Sequence, residues 1–333
     1  MDKVRPDTPK KQHYVPQLLL RNFSYGKKYK IFSFDKSKAR SFNTNVRDIA
    51  SENGFYNLLI DSEEYTLEYK LSKLEGICSS VVKKICRNES LKGITREEHL
   101  VLCVFVAHLL VRVKKQRAFI EQLNTGMTEW LQSMDLDQNE VQNFQILGQE
   151  DIDKQHIEFT HEHVFEFSKL FYNKPIALLK APNGSHFMIS DNPVAMYNHW
   201  PRKLRGDKGI SVPGVEIQVP LSKKLCLSFV CPQLYSDLDE KLDFINNRRA
   251  QNLPTENIDT SYAAVLISSI KEGKAIEVNS ENVKFTNSLQ IADSLYYIYS
   301  DKNDFRLAEE MLEKNPDLAN GKVMCMGSSP LNL

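Results

Sequence analysis

The chain has 333 residues, of which 41% are hydrophobic and 26% are charged, which is usual for a folded globular protein. Its 43 basic residues balance its 43 acidic residues, so it lacks the overall positive field of many nucleic-acid-binding proteins. A local basic patch is still compatible with this balance. Partners and oligomeric state are therefore left open, with nucleic acid or a nucleotide among the candidate partners.

The cysteines and the termini indicate the compartment. Six cysteines occur without a CxxC pair, and the spacing of Cys226 and Cys231 fits neither a zinc knuckle nor a redox motif. Cys78, Cys86 and Cys103 lie in apolar helical patterns, where a free thiol behaves as a small hydrophobe. The charged N-terminus has no signal-peptide core, and no apolar run approaches the ~20 residues of a membrane span. These features predict a soluble, cytoplasmic protein without a membrane partner.

The first half of the chain is predicted to be mainly helical. A flexible lead is predicted over 1–11 and a strand over 29–34. Three helices follow, over 63–87, 95–134 and 157–171. Alternating hydrophobicity predicts the strand, and apolar residues at spacings of three and four predict the first helix. Thr95 and Glu98 have the spacing of a capping box, which marks the start of the second helix.

The second half is predicted to contain most of the sheet. It has strands over 175–180, 186–190, 216–221, 225–230 and 295–299, helices over 237–251, 281–293 and 304–314, an apolar strand or helix over 263–270, and a loose tail over 317–333. Asn183-Gly184 between the first two strands predicts a β-hairpin. This order predicts an α+β fold, with a helical N-terminal half packed on a mainly antiparallel sheet from the C-terminal half plus the N-terminal strand. Without repeats or low-complexity linkers, residues 1–333 are expected to form a single domain.

Two proline-terminated motifs are the most informative, His13-Tyr14-Val15-Pro16 and Ser190-Asp191-Asn192-Pro193. Proline fixes its own backbone and holds the preceding residue extended. In the first motif, the His13 imidazole could serve as acid, base or ligand near neutral pH, or it could anchor the N-terminal segment. In the second, Asp191 and Asn192 could brace a loop through backbone hydrogen bonds or supply a functional carboxylate at a strand end.

Arg112 falls in an apolar helical stretch, where an unpaired guanidinium has a large desolvation cost. It is expected to meet a carboxylate or a substrate phosphate, or to form a structural ion pair between two helices. His108, Arg112 and Gln116 recur at a spacing of four and predict a polar strip on one helix face. Glu52 and Glu75 are the leading acidic partners from the first half of the chain.

These motifs carry a resemblance that spans roughly residues 12 to 300. The chain resembles the microbial family known as domain of unknown function 4238, and the matching segments are Gln12–Gln17 with Leu20–Phe23, Glu52 before Phe55-Tyr56, Glu75, Arg112 with Arg117, Ser190–Pro193, and Asn287 with Ala292 before Tyr296–Tyr299. One departure is local: the family places a Gln before the first Arg and a Thr-Pro after it, where this chain has Leu109 and Val113-Lys114. The resemblance implies a fold and no activity.

Two functions from different classes stay open. The first is a non-catalytic binding or effector module, in which the His, Arg and carboxylate groups form a buried polar network. The alternative is a nuclease-like hydrolase of phosphodiester bonds. In that enzyme His13 would be the general acid or base and Arg112 would steady the phosphate charge. Asp191, Glu52 and Glu75 would orient His13 or hold a divalent metal.

The sequence leaves the cofactor unknown, and a divalent metal is expected only under the enzyme hypothesis. The sequence has no P-loop, GxGxxG, HExxH or GxSxG motif. The residues predicted to bind a ligand in either function are Arg21, Gln116, Arg117 and Asn192.

Overall fold

The computed structural model describes residues 1–135, 146–200, 207–255, 258–321 and 323. Within these ranges the chain forms ten α-helices and fourteen β-strands. The strands assemble into four sheets, and all of their pairings are antiparallel except that of the strands 176–180 and 275–277. The predicted α+β class is therefore confirmed.

The helices are α1 (Gln17–Leu20), α2 (Glu68–Asn88), α3 (Arg96–Val111), α4 (Lys114–Ser133), α5 (Gln149–Glu162), α6 (Val164–Tyr172), α7 (Pro232–Ala250), α8 (Ser261–Glu272), α9 (Ser280–Asp293) and α10 (Arg306–Lys314). The strands are β1 (Asp2–Lys3), β2 (Lys11–His13), β3 (Lys30–Asp35), β4 (Arg40–Asn45), β5 (Ser51–Asn53), β6 (Asn57–Ile60), β7 (Glu63–Thr66), β8 (Ile176–Lys180), β9 (Ile189–Ser190), β10 (Ala195–Asn198), β11 (Val215–Ser222), β12 (Leu225–Phe229), β13 (Ala275–Glu277) and β14 (Tyr297–Ser300). The sheet orders are β1-β7-β6, β2-β5, β4-β3-β14-β9 and β10-β11-β12-β8-β13.

The N-terminal segment differs from the flexible lead that was expected over residues 1–11. β1 pairs with β7, and Lys11 opens β2, which pairs with β5. These ladders give the segment hydrogen-bond partners that its polar composition does not reveal. At the other end, Pro316–Ala319 forms a 3₁₀ turn, whereas residues 322 and 324–333 of the predicted loose tail lie outside the described residues.

Two predicted helices are each divided in two. The capping box at Thr95 is present: the Thr95 hydroxyl accepts from the Glu98 amide at 3.2 Å, and the Glu98 carboxylate accepts from the Thr95 amide at 2.8 Å. The helix that it starts ends at Val111, however, and α4 begins three residues later. The helix predicted over 157–171 starts earlier and is divided at His163.

The four-stranded sheet joins the two ends of the chain, because β3 and β4 pair with β14 and β9. In its register Ser33 lies opposite Tyr299, and Phe34 lies opposite Ile298. Side chains alternate between the faces of a strand, so Ser33 and Tyr299 share one face. Phe34 and Ile298 point to the other face, where they pack with Phe305 of the segment before α10. The predicted N-terminal strand is thus an inner strand of this sheet.

The hairpin predicted around Asn183-Gly184 was wrong. β8 pairs with β12 on one side and with β13 on the other, whereas β9 pairs with β14 in the four-stranded sheet. The middle of β8 is buried, as in a strand with neighbours on both sides. The turn therefore carries the chain from one sheet to the next, and its sequence does not reveal which strands pair.

One large hydrophobic cluster packs the helices against the sheets, and its members run from Tyr14 to Tyr299. A smaller cluster lies beneath α10 on the far face of the four-stranded sheet. In the ranges that the structure covers, every helix is too short or too polar to cross a lipid bilayer.

The capping box generates a stability prediction. Thr95→Ala should lower the free energy of unfolding by about 1 kcal/mol, because the Glu98 amide loses its side-chain acceptor. Urea unfolding followed by circular dichroism measures this change. The control is Thr125→Ala, which removes an exposed hydroxyl bonded to the preceding helical turn of α4 and should change stability by less than about 0.5 kcal/mol. Equal losses in both variants would contradict the role of the cap.

Candidate functional site

Arg112 is the centre of a buried polar network and is 1% exposed. Its guanidinium donates to the Glu75 carboxylate at 2.8 Å, to the His13 carbonyl at 2.6 Å and to the Tyr56 hydroxyl at 3.1 Å. The Tyr56 hydroxyl in turn donates to the Arg112 carbonyl at 3.0 Å. The carboxylate that the buried guanidinium requires is therefore supplied by α2.

The same residue marks the break between α3 and α4. Val113 has an extended backbone, with φ −79° and ψ 157°, so the predicted strip of His108, Arg112 and Gln116 on a single helix does not form. In a continuous helix the Arg112 carbonyl would accept from the Gln116 amide. Here it accepts from Tyr56, and the Gln116 amide donates to the Val113 carbonyl.

His13 joins the network through its backbone carbonyl. Its imidazole is largely buried, and Nε2 has no hydrogen-bond partner among the described residues. Burial lowers the pKa of His13, against the opposing effect of the nearby Glu75 carboxylate. The imidazole is thus held towards its neutral form behind the N-terminal strand.

Glu68 is a second carboxylate of α2 beside this network. Burial raises its pKa to about 7; the Arg112 charge opposes this shift, and the Glu75 charge adds to it. One oxygen accepts from the Ser72 hydroxyl at 3.3 Å, whereas Oε2 is buried without a partner in the described part of the chain. Sequence reasoning did not single out Glu68 as a site residue, because its solvent exposure depends on how α2 packs.

Arg117 holds the contact between α4 and α5. It forms an ion pair with Asp153 at 3.1 Å, donates to the Phe55 carbonyl at 2.6 Å, and lies 3.9 Å from the centre of the Phe55 ring. The ring of His156 lies beside it, and His156 Nε2 is 3.0 Å from the Val111 carbonyl. This predicted binding residue therefore joins α4 to α5.

The other predicted binding residues lie in two separate places. Arg21 is exposed, donates to Gln17 at 3.1 Å and lies 5.2 Å from the ring centre of Tyr29. Gln116 and Asn192 line a separate cavity of about 170 Å³. Asn192 uses its amide to brace the chain, because Nδ2 donates to the Asp293 carbonyl at 3.0 Å.

Asp191 is 2% exposed and holds the turn before β14. Its carboxylate accepts from the amides of Leu295, Tyr296 and Tyr297 at 2.7–2.9 Å. Burial raises the pKa of Asp191, and these three amides act in the opposite direction. These bonds form the loop brace that was one of the two alternatives for this motif.

Two lysines contact the C-terminal end of α9 next to Asp191. Lys36 is 2% exposed and donates to the carbonyls of Ile291 and Ser294 at 3.0 and 2.8 Å. Lys115 donates to the Asp293 carbonyl at 2.8 Å. Positive charge at this end complements the helix dipole. Burial lowers the pKa of Lys36 to about 8, although the neighbouring Asp191 carboxylate opposes that shift.

A pocket of about 280 Å³ lies over the polar face of the four-stranded sheet. Ser33, Phe42 and Thr44 contribute from β3 and β4, and Tyr297 and Tyr299 from β14. The segment 48–52 and Tyr14 complete the wall with Tyr296, Lys114 and Asp191. Burial raises the pKa of Tyr14 and of Tyr299, so both hydroxyls are protonated hydrogen-bond donors at neutral pH.

The predicted catalytic residues divide between these two places. Asp191 and Glu52 line the pocket, where Glu52 forms an ion pair with Lys114. His13, Arg112 and Glu75 belong to the network and are not part of the pocket lining. Over the described residues, no group of three or more His, Cys, Asp or Glu side chains is arranged to hold a metal ion.

The pocket also contains residues that sequence reasoning missed, chiefly Ser33, Lys114, Tyr297 and Tyr299. A signal existed for the two tyrosines, because their alternation in the last strand places both on one face. No comparable signal marks Ser33 or Lys114. Ser33 looks like any strand serine, and Lys114 looks like part of an exposed basic run.

Comparison with known proteins assigns the family. The model of the family described as "Protein of unknown function (DUF4238)" matches residues 11–304, and the chain belongs to that family. No curated protein and no solved structure matches the chain in these comparisons.

The network generates a second stability prediction. Arg112→Met should lower the free energy of unfolding by about 3–5 kcal/mol, because Glu75 and the His13 carbonyl lose their common donor. Chemical denaturation measures the change. Arg306→Met is the matched control: it removes an arginine that is 80% exposed and paired with Asp304, which should leave stability nearly unchanged. Similar losses in the two variants would show that the buried network is not a major source of stability.

Glu68 generates a prediction for pH dependence. Its folded-state pKa is raised to about 7 from an ordinary value of 4.5, so its ionisation destabilises the fold increasingly as pH rises through that interval. Relative to wild type, Glu68→Gln should gain about 1–2 kcal/mol more stability at pH 8 than at pH 4.5. Urea unfolding at both pH values measures this difference, with the exposed Glu129→Gln as control for loss of a carboxylate. A gain independent of pH would contradict the shifted pKa.

Proposed function

We propose that this chain is a non-catalytic binding module, with a ligand site in the pocket over the four-stranded sheet and a structural network behind it. The observation that carries this proposal is the set of partners of Arg112. Its guanidinium is 1% exposed and donates to three groups of the protein itself. Directing it to a substrate phosphate would require breaking a buried ion pair.

The charges around the pocket also favour binding over phosphodiester hydrolysis. Its described lining contains three carboxylates, Asp48, Glu52 and Asp191, and one basic side chain, Lys114, which is paired with Glu52. Hydrolysis of a phosphodiester requires positive charge or hydrogen-bond donors where negative charge develops. The carboxylates outnumber the one basic side chain of this lining, although Asp48 is paired with Lys11 outside it, so the balance of charge favours a cation or a neutral group over a phosphate.

The remaining parts of the proposal concern the whole protein. One large hydrophobic cluster, with members from Tyr14 to Tyr299, supports one domain. A reducing, cytoplasmic location is supported by the free cysteines Cys78, Cys86, Cys103, Cys226 and Cys231.

The test measures binding and hydrolysis on the same preparation. A fragment library of mixed charge, screened by saturation-transfer NMR, should yield ligands that Phe42→Ala weakens by fivefold or more, because Phe42 is a wall of the pocket. Phe165→Ala is the matched control, since Phe165 is also exposed but lies in another cavity. If the screen finds no ligand whose binding depends on Phe42, that result would count against the binding module.

Hydrolysis of bis(4-nitrophenyl) phosphate, DNA and RNA is measured with and without Mg²⁺ or Mn²⁺. The wild-type protein should hydrolyse these substrates no faster than the His13→Ala and Asp191→Asn variants do. Turnover that either substitution abolishes while circular dichroism shows an intact fold would replace the binding module with the enzyme.

A further inference from the structure

We propose that the pocket over the four-stranded sheet binds a small organic cation, with an ammonium group held among aromatic rings and carboxylates. This inference rests on the proposed binding function and specifies the chemical class of its ligand. Three independent features of the pocket lead to it: its aromatic walls, the partners of its carboxylates and a buried hydroxyl without a partner.

The first feature is the aromatic content of the walls. Five aromatic side chains line a volume of only about 280 Å³, namely Tyr14, Phe42, Tyr296, Tyr297 and Tyr299. The rings of Tyr297 and Tyr299 are nearly parallel, with an interplanar angle of 11° and centroids 6.5 Å apart. Aromatic rings attract cations through their negative faces, and groups of them bind quaternary ammonium compounds.

The second feature is the charge of the same walls. The hydrogen bonds that Asp191 accepts from the described residues come from the three backbone amides of 295–297 and none from a basic side chain. The buried Lys36 acts on Asp191 through its charge, but its ammonium donates to the carbonyls at the end of α9. Asp191 is therefore a buried carboxylate that the protein stabilises with dipoles and leaves without an ion-pair partner. A cationic ligand in the pocket would provide the direct ion pair that no basic side chain of the described residues forms with Asp191.

The third feature is Ser33, which lies on the floor of the pocket at 0% exposure. Its hydroxyl has no hydrogen-bond partner among the described residues. An unpaired buried hydroxyl has a cost that a partner removes. A ligand with an N–H or hydroxyl group beside its charge would provide that partner, so a hydroxylated or protonated amine fits better than a purely apolar cation.

The dimensions and the remaining charges narrow the class further. A volume of about 280 Å³ is just below the usual range of ligand pockets, roughly 300–1,000 Å³, and it suits a small metabolite. Anions are disfavoured, because the one lysine of the described lining is already paired with Glu52. Asp48 is paired with Lys11 outside the lining, which leaves Asp191 as the lining carboxylate without an ion pair.

The experiment uses isothermal titration calorimetry on the full chain. The cationic probes are choline, tetramethylammonium and ethanolamine, and 3,3-dimethyl-1-butanol is the neutral probe with nearly the shape of choline. At least one cation should bind, and choline should bind about tenfold or more tightly than its neutral counterpart. Phe42→Ala should weaken cation binding by about fivefold to tenfold, whereas the exposed Phe165→Ala, which lies outside the pocket, should leave it unchanged.

Three outcomes would overturn the inference. They are equal binding of choline and its neutral counterpart, equal effects of Phe42→Ala and Phe165→Ala on cation binding, and no binding of any cationic probe. If the pocket binds neutral or anionic fragments in a way that depends on Phe42, the cation class fails and the binding module stands. Phosphodiester turnover that is lost in His13→Ala would instead remove the binding module itself, so the two failures are distinguishable.

Discussion

The arrangement of the N-terminal half depends on one buried guanidinium, that of Arg112. The Arg112 guanidinium joins the N-terminal strand through the His13 carbonyl, α2 through Glu75 and the turn before β6 through Tyr56. It does so at the point where the chain leaves α3. A guanidinium without these partners would have a desolvation cost that the surrounding apolar contacts could not offset. Four segments that are distant in sequence are therefore held in one arrangement.

The N-terminal strand separates this network from the pocket. His13 ends β2, and Tyr14 follows it in the bend that leads to α1. His13 contacts the network, whereas Tyr14 lines the pocket beside Asp191 and Tyr299. Because Arg112 fixes the backbone of this strand, it also fixes one wall of the pocket. A wall held in place before binding reduces the ordering cost when a ligand enters.

Much of the local structure was predictable because it depends on nearby residues. The capping box at Thr95, the strand over 29–34 and the requirement of Arg112 for a carboxylate all follow from short patterns or from solvation cost. The break after Arg112 was not predictable, because the helix pattern continues across it and the competing partner, Tyr56, is 56 residues away. The pairing of β9 with β14 likewise depends on contacts across about 109 residues.

The sequence by itself determined the α+β class, the candidate residues and the fact that a buried arginine and an aspartate in a proline-terminated turn needed partners. Only the tertiary structure decided that His13 and Arg112 form the network whereas Asp191 and Glu52 line a pocket with Tyr14. The physical reason is that burial and pairing are properties of several segments together. A residue's type sets the cost of leaving it unpaired, but the packing of distant strands selects the partner that removes that cost.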